Sequence, residues 1–159
     1  MVGKTPRIRK QDRQRLNTIK DYCGCLPCLL MGHLDRHTTI EHITKAGRRV
    51  GIESAQHENT IGLCLWHHFQ VCNNGQQIDR MVSEFVPSLA AGSRSFQWHF
   101  GDELRVLLPI QNYLLELFAE HPWPEYSVPR RVARDVRSEW ITLNHANAQA
   151  PKRHRNRSS

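Results

Sequence analysis

All five cysteines of this 159-residue chain and six of its ten histidines fall between residues 23 and 72. Two pairs in that stretch have the spacing of metal ligands. Cys25 and Cys28 are two residues apart on a turn made by Gly24 and Pro27, and Cys64 and His67 are two residues apart where a helix is predicted to begin. A two-residue gap lets both members of a pair reach one ion, and two such pairs make the closed tetrahedral Cys3His set of structural zinc. On a helix, Cys64 and His67 stand at i, i+3 and share a face. His68 stands at i+4, so spacing alone leaves the choice between the two histidines open. Cys23 and Cys72 are left over. The 35 residues between the pairs are too many for a Cys2His2 finger. The rival to a metal is a set of buried, unligated cysteines beside ordinary histidines.

The charge balance bears on the partner. The chain holds 22 Lys and Arg against 15 Asp and Glu, a net +7. Residues 1–20 carry seven basic residues and one acid, and residues 151–159 carry four basic residues and no acid. A mildly acidic centre therefore bears two basic arms, a distribution that suits nucleic acid. The alternative is a pair of solvated ends that only aid solubility. The basic side chains of the arms are Lys4, Arg7, Arg9 and Lys10, then Lys152, Arg153, Arg155 and Arg157. No run is apolar for the ~18 residues of a membrane span. Nor does an apolar stretch follow the first residues, which points to a cytoplasmic chain with reduced thiols.

The elements that must position these residues can be sketched. Residues 12–22 read as a helix, with Leu16, Ile19 and Tyr22 at three-residue spacing. His37 to Ile43 reads as a strand, Thr60 to Leu63 as a second strand, and Cys64 to Cys72 as a helix ended by Asn73-Asn74-Gly75. A polar loop with Gly47 and Gly51 separates the strands. Ile78, Met81, Val82 and Phe85 mark an amphipathic helix that Pro87 stops. Residues 102–120 read as a long apolar helix kinked at Pro109, and Val132, Val136 and Trp140 as a last helix opened near Ser127 and Pro129. The aromatic set Phe96, Trp98 and Phe100 is assigned to the core rather than to base stacking.

In order and spacing these pieces resemble the HNH, or ββα-metal, nucleases: Glu41-His42 ending strand one, Asn59 before strand two, and Cys64-Leu65-Trp66-His67-His68 opening the helix. They are most similar to the phage recombination-enhancement (Ref) nucleases. That resemblance rests on Gly24-Cys25-x2-Cys28, Gly47-Arg48-Arg49, Leu63-Cys64-x2-His67-His68 and Phe100-Gly101-Asp102-Glu103-Leu104. It covers about residues 15–108 and does not reach beyond residue 121.

The resemblance implies roles. His42 would be the general base, since an imidazole titrates near pH 6.5. Glu41 and His68 would hold a catalytic Mg2+ or Mn2+, leaving His67 to close the structural zinc with Cys25, Cys28 and Cys64. Consecutive helical residues point about 100° apart, so each can serve its own ion. Asn59 would pin the hairpin loop and hold His42. Arg48 and Arg49 would contact phosphates, or merely lie in a solvated loop. Where the group carries Ile-His-Gly, this chain reads Ile78-Asp79-Arg80, so Asp79 is either a third ligand of the hard cation or a helix-start carboxylate. Neighbouring strand residues face opposite sides, so Glu41 and His42 could share a cleft only if the strand ends irregularly there.

The expectation is a small α+β fold. Residues 1–11 would form a basic disordered arm, 12–120 a zinc-stapled ββα-metal nuclease domain, 121–150 a C-terminal helical extension and 151–159 a basic tail. By resemblance it would be a divalent-metal-dependent DNA endonuclease of phage or prophage recombination, acting with a RecA-type filament in a bacterial cytoplasm. The rivals are a non-catalytic zinc module that binds DNA and a zinc-stabilised protein-interaction module. The sequence leaves the oligomeric state open.

Overall fold

The computed structural model of the chain describes residues 7–34, 37–43, 57–72 and 75–149. Helix α1 spans Lys10–Thr18 and continues as a π-helical turn, Ile19–Cys23, ended by Gly24 at φ 74°. It thus begins two residues earlier than the sequence pattern suggests, inside the segment assigned to a disordered arm. Cys25 is the N-cap of α2, Leu26–Leu30. The second cysteine of the first pair therefore sits in a short helix and not in a turn. Pro27 explains this, because its fixed φ and missing N–H suit the first helical turn.

Strands β1, Thr39–His42, and β2, Thr60–Leu63, pair antiparallel, with Thr39 opposite Leu63 and His42 opposite Thr60. Cys64 caps α3, Leu65–Phe69, which ends at Gln70 with φ 61°. The expected nine-residue helix is thus five residues long and stops before Asn73-Asn74-Gly75. Next come α4, Ile78–Phe85, a 3-10 turn, Leu89–Ala91, and α5, Ser93–Phe100. The long helix predicted over 102–120 is a π-turn, Glu103–Leu107, running into α6, Leu108–Glu120. Pro109 lies in the first turn of α6, where its missing N–H costs no helical hydrogen bond. Helix α7, Arg130–Gln149, completes the chain. Among the described residues no helix is long and apolar enough to cross a membrane.

The architecture is therefore helical with one small two-stranded sheet. The main core gathers Leu26 and Leu30 from α2, Ile61 and Leu63 from β2, Phe96 and Phe100 from α5, and Leu114 from α6. Val132 and Val136 of α7 belong to the same cluster, so the C-terminal extension packs into the core rather than beside it. Polar contacts from α1 and α6 fix the hairpin. The Arg15 guanidinium donates to Thr60 Oγ1 (3.0 Å), to the Thr60 carbonyl (2.9 Å) and to Asn112 Oδ1 (2.8 Å). Gln111 Oε1 accepts from Gly62 N at 3.0 Å. Gly62 itself has no room for a side chain, since a Cβ there would collide with the Gly24 carbonyl oxygen. The hairpin is thus held directly against the chain that leads into Cys25.

Candidate metal centre and active site

A second, smaller cluster of buried residues surrounds Cys25, Cys28 and Cys64, with Trp66, Met81 and Phe85. Met81 and Phe85 are the inward positions of α4, and they cover the cysteines from outside. Within this shell the ligand atoms of Cys25, Cys28, Cys64 and His67 all lie within 4.8 Å of one another, and all four residues are buried. A tetrahedron with Zn–S of about 2.3 Å and Zn–N of about 2.0–2.1 Å has edges of about 3.8 Å between sulfurs and about 3.5 Å from sulfur to nitrogen. Cys28 Sγ is 3.7 Å from Cys64 Sγ. His67 Nδ1 is 3.4 Å from Cys25 Sγ and from Cys28 Sγ, and 3.2 Å from Cys64 Sγ. The four residues could therefore hold a structural metal such as zinc.

The surroundings settle which nitrogen of His67 faces the cluster. Its Nε2 is 2.8 Å from the Phe85 carbonyl, which can only accept, so Nε2 carries the proton and Nδ1 keeps its lone pair. Burial, followed by hydrogen bonding and charge from Cys28 and Cys64, pushes the Cys25 thiol well above the ordinary thiol range. Hydrogen bonds with the Cys25 and Cys28 thiols pull Cys64 the other way. Three converging sulfurs cannot all be thiolates without a cation among them. Of the leftover cysteines, Cys23 is buried in the main core, its thiol raised to about 12 by desolvation, and Cys72 packs at the edge of the smaller cluster.

The next residue of α3 faces a different environment. His68 Nδ1 lies 2.6 Å from Thr39 Oγ1, and that hydroxyl donates to the Leu63 carbonyl at 2.8 Å. The hydroxyl can then only accept from His68, which places the imidazole proton on Nδ1. The Nε2 lone pair faces Glu41 Oε2 at 2.7 Å. Two acceptors at that distance need a proton or a cation between them. Burial raises the Glu41 carboxyl and lowers His68, so it disfavours the charged form of each. Cis ligands of an octahedral ion at 2.0–2.1 Å stand about 3 Å apart, close to the separation seen. The Phe69 ring stacks on His68 at 3.8 Å and fixes its plane.

Strand β1 remains regular through His42, so the irregular strand end that a shared cleft required is not found. Thr39 and Glu41 face His68, while His42 lies on the other face. There His42 Nε2 is 3.1 Å from His57 Nδ1, with the two rings edge to face. Burial, then the neighbouring His57, lowers His42 and favours its neutral form. His57 is anchored in turn, since Thr60 Oγ1 donates to its carbonyl at 2.7 Å. The Asn59 carbonyl accepts from Ile43 N at 2.9 Å and closes the open end of the hairpin. Asp79 lies exposed in the first turn of α4, the position of a helix-start carboxylate.

Two residues that the sequence reading gave no role belong to this neighbourhood. His57 is the partner of His42. Glu103, within the Phe100-to-Leu104 segment, has an enclosed Oε1 with no hydrogen-bond partner among the described residues. Burial, then the charges of Glu41 and Asp102, raises its carboxyl to about 7. Of the arm residues, Arg7 and Lys10 are exposed, and Arg9 is engaged with Asp12 at 2.7 Å. Lys4, Arg48, Arg49, Lys152, Arg153, Arg155 and Arg157 lie outside the described residues.

Compared with protein families, residues 9–115 match the model described as "Recombination enhancement, RecA-dependent nuclease". No curated protein and no solved structure matches the chain.

Proposed function

Since the chain belongs to the recombination-enhancement, RecA-dependent nuclease family, we propose that it is a divalent-metal-dependent DNA endonuclease of the HNH type, directed by a RecA-type filament. The observation that carries this reading is the Glu41–His68 pair, an imidazole nitrogen and a carboxyl oxygen 2.7 Å apart on the first strand and the helix of a ββα unit. Oxygen with imidazole suits Mg2+ or Mn2+ better than a thiolate set does. Such an ion keeps several waters and needs only one or two protein ligands besides the substrate phosphate. Asp79 would join through a water or remain a helix-start carboxylate. Glu103, whose carboxyl is raised to about 7 by burial and then by Glu41 and Asp102, would ionise more readily with a cation there.

Phosphodiester hydrolysis also needs a base for the attacking water. His42 is the base in this reading, kept neutral by burial and oriented by His57. Glu41 and His42 leave β1 on opposite faces, so the scissile phosphate would lie across the end of the hairpin, with the ion on one side and the base on the other. Zinc held by Cys25, Cys28, Cys64 and His67 would be structural and would tie α3 to α2. Four protein ligands would leave hydrolysis to other residues. Asn59 holds the hairpin end. Arg48, Arg49 and the arms contact phosphates, which position a substrate without reading its sequence. Placement would then fall to the filament.

The test is cleavage of single-stranded, duplex and displacement-loop DNA by the full chain, with and without Mg2+ and a RecA-type filament. Slow, sequence-indifferent cutting that the filament stimulates supports the reading. Cutting of bare duplex at one defined sequence, or a rate that the filament leaves unchanged, refutes it.

A further inference from the structure

Helix α7 lies beyond the family match, which ends at residue 115, and carries features that phosphodiester cleavage does not use. Arg130, Arg134 and Arg137 recur at i, i+4 and i+7, are all exposed, and line a groove of about 700 Å³. At 100° per residue they fall within about 60° of one another, and Ile141 continues the same stripe. Asp135 and Glu139 point to another side. The acid nearest Arg134 is Asp135 at 3.8 Å, with both side chains largely solvated, a pair that neutralises little. Among the described residues Arg130 and Arg137 make no ion pair.

A turn further along, the stripe reaches a second groove of about 500 Å³, lined by Ile141 and Asn144 of α7 and by Trp98 of α5. Trp98 is 80 % exposed, whereas tryptophan is on average highly buried. Its exposure follows from the local helix. Phe96 and Phe100 are i, i+4 and fill the core, so the residue between them points outward. The wall behind it is firm, because Trp140 Nε1 donates to the Phe100 carbonyl at 2.8 Å and ties α7 to α5.

We propose that this flank of α7, with Trp98, binds a single-stranded segment of DNA, the arginines holding successive phosphates and the indole stacking on a base. An unneutralised cationic track beside an exposed aromatic ring is the arrangement that holds single strands without regard to sequence. Duplex bases stack on one another and offer no free face to Trp98, and an acidic peptide has no base to stack. Residues 130–137 cover about 10 Å at 1.5 Å per residue, enough to follow a short stretch of one backbone. The proposal rests on the family reading only for the polymer being DNA, and not on the assignment of any metal.

The experiment is fluorescence anisotropy of a labelled 20-mer of deoxythymidylate, and of a duplex of equal length, with the full chain and no added Mg2+. All four side chains are exposed, so variants should keep zinc content and circular dichroism unchanged, and both are checked. Trp98→Ala should weaken single-strand binding roughly 5- to 150-fold, the range for loss of one stacked base. It should leave duplex binding near wild type, and Trp98→Phe should restore most of the loss. The triple variant Arg130→Gln, Arg134→Gln, Arg137→Gln should flatten the single-strand salt slope by about 0.7 per lost phosphate contact. Unchanged single-strand affinity in both variants overturns the proposal. So does an equal loss on duplex in Trp98→Ala, or displacement of the oligonucleotide by polyglutamate at matched charge. Cleavage is assayed separately. Strand binding without cutting would count against the nuclease reading alone, and cutting with intact strand binding in these variants would count against the α7 site alone.

Discussion

His67 and His68 are neighbours on one five-residue helix, and in the proposed reading they would serve two sites of opposite design. At Cys25, Cys28, Cys64 and His67, the protein supplies four ligands from within a shell of Trp66, Met81 and Phe85, and the far nitrogen of the imidazole is tied to a backbone carbonyl. Glu41 and His68 would supply only two ligands, both half-buried. The group that orients His68 is the Thr39 hydroxyl of β1. A closed set of four stabilises a fold; an open pair can exchange water for phosphate. The 100° step between consecutive helical residues is what separates the two functions.

The contrast breaks most dramatically at the closed site. Cys28→Ser should remove the ion and, with it, the link between α2 and the hairpin. Structural zinc contributes about 10–16 kcal/mol of apparent binding energy in small zinc peptides, more than a domain's usual net stability of about 5–15 kcal/mol. The expected result is zinc-free protein by elemental analysis, with loss of cooperative thermal unfolding. The open side should behave otherwise. His42→Ala should lower cleavage by about 10²–10⁴, the usual worth of a general base, while zinc content and thermal unfolding stay near wild type. A variant that cuts normally would remove His42 from the mechanism.

The two histidines themselves sharpen the comparison. His67→Ala should lose zinc, and cleavage only as a consequence. His68→Ala should keep zinc, lose cleavage and require more Mg2+ or Mn2+ for what activity is left. The opposite pattern, zinc retained in His67→Ala and lost in His68→Ala, would mean that the sites are exchanged. The smallest effect is expected at Glu103. Its carboxyl is raised to about 7 in the folded chain, so its stabilising contribution is complete below the ordinary carboxylate range and is lost as pH rises through about 7. Glu103→Gln should therefore gain thermal stability relative to the parent between pH 5 and pH 8, by about 2–4 °C for each kcal/mol. Added Mg2+ should narrow the gap. Parallel melting curves across that range would show that the Glu103 carboxyl is not raised in the folded chain.

The closed site was legible in the sequence because both ligand pairs are local. The Cys25–Cys28 and Cys64–His67 spacings survive whatever packs around them, and the second strand, Thr60–Leu63, lies where its β-branched start placed it. Spacing could not separate His67 from His68, and only the resemblance did. The partner of His42 was not legible at all. His57 reaches it through the pairing of two strands, and no local pattern announces a contact across fifteen residues. Glu103 is hidden for the same reason, lying 62 positions after the carboxylate it faces. Trp98 was misplaced by period. Positions 96, 98 and 100 share a face in a strand, but this segment is a helix, where 96 and 100 align and 98 turns outward. Arg15, in a stretch that looked merely basic, is spent on Thr60 and Asn112.

The account stands on the claim that an open hard-cation site beside a closed zinc site makes this chain a metal-dependent nuclease. The most direct measurement is the rate of displacement-loop DNA cleavage, in the presence of a RecA-type filament, by protein carrying one zinc per chain as Mg2+ is raised from zero. The account predicts no cleavage with zinc alone, a saturable rise with Mg2+, and a curve displaced to higher Mg2+ in His68→Ala. Cleavage at full rate without Mg2+, or none at any Mg2+ or Mn2+ concentration, would contradict it.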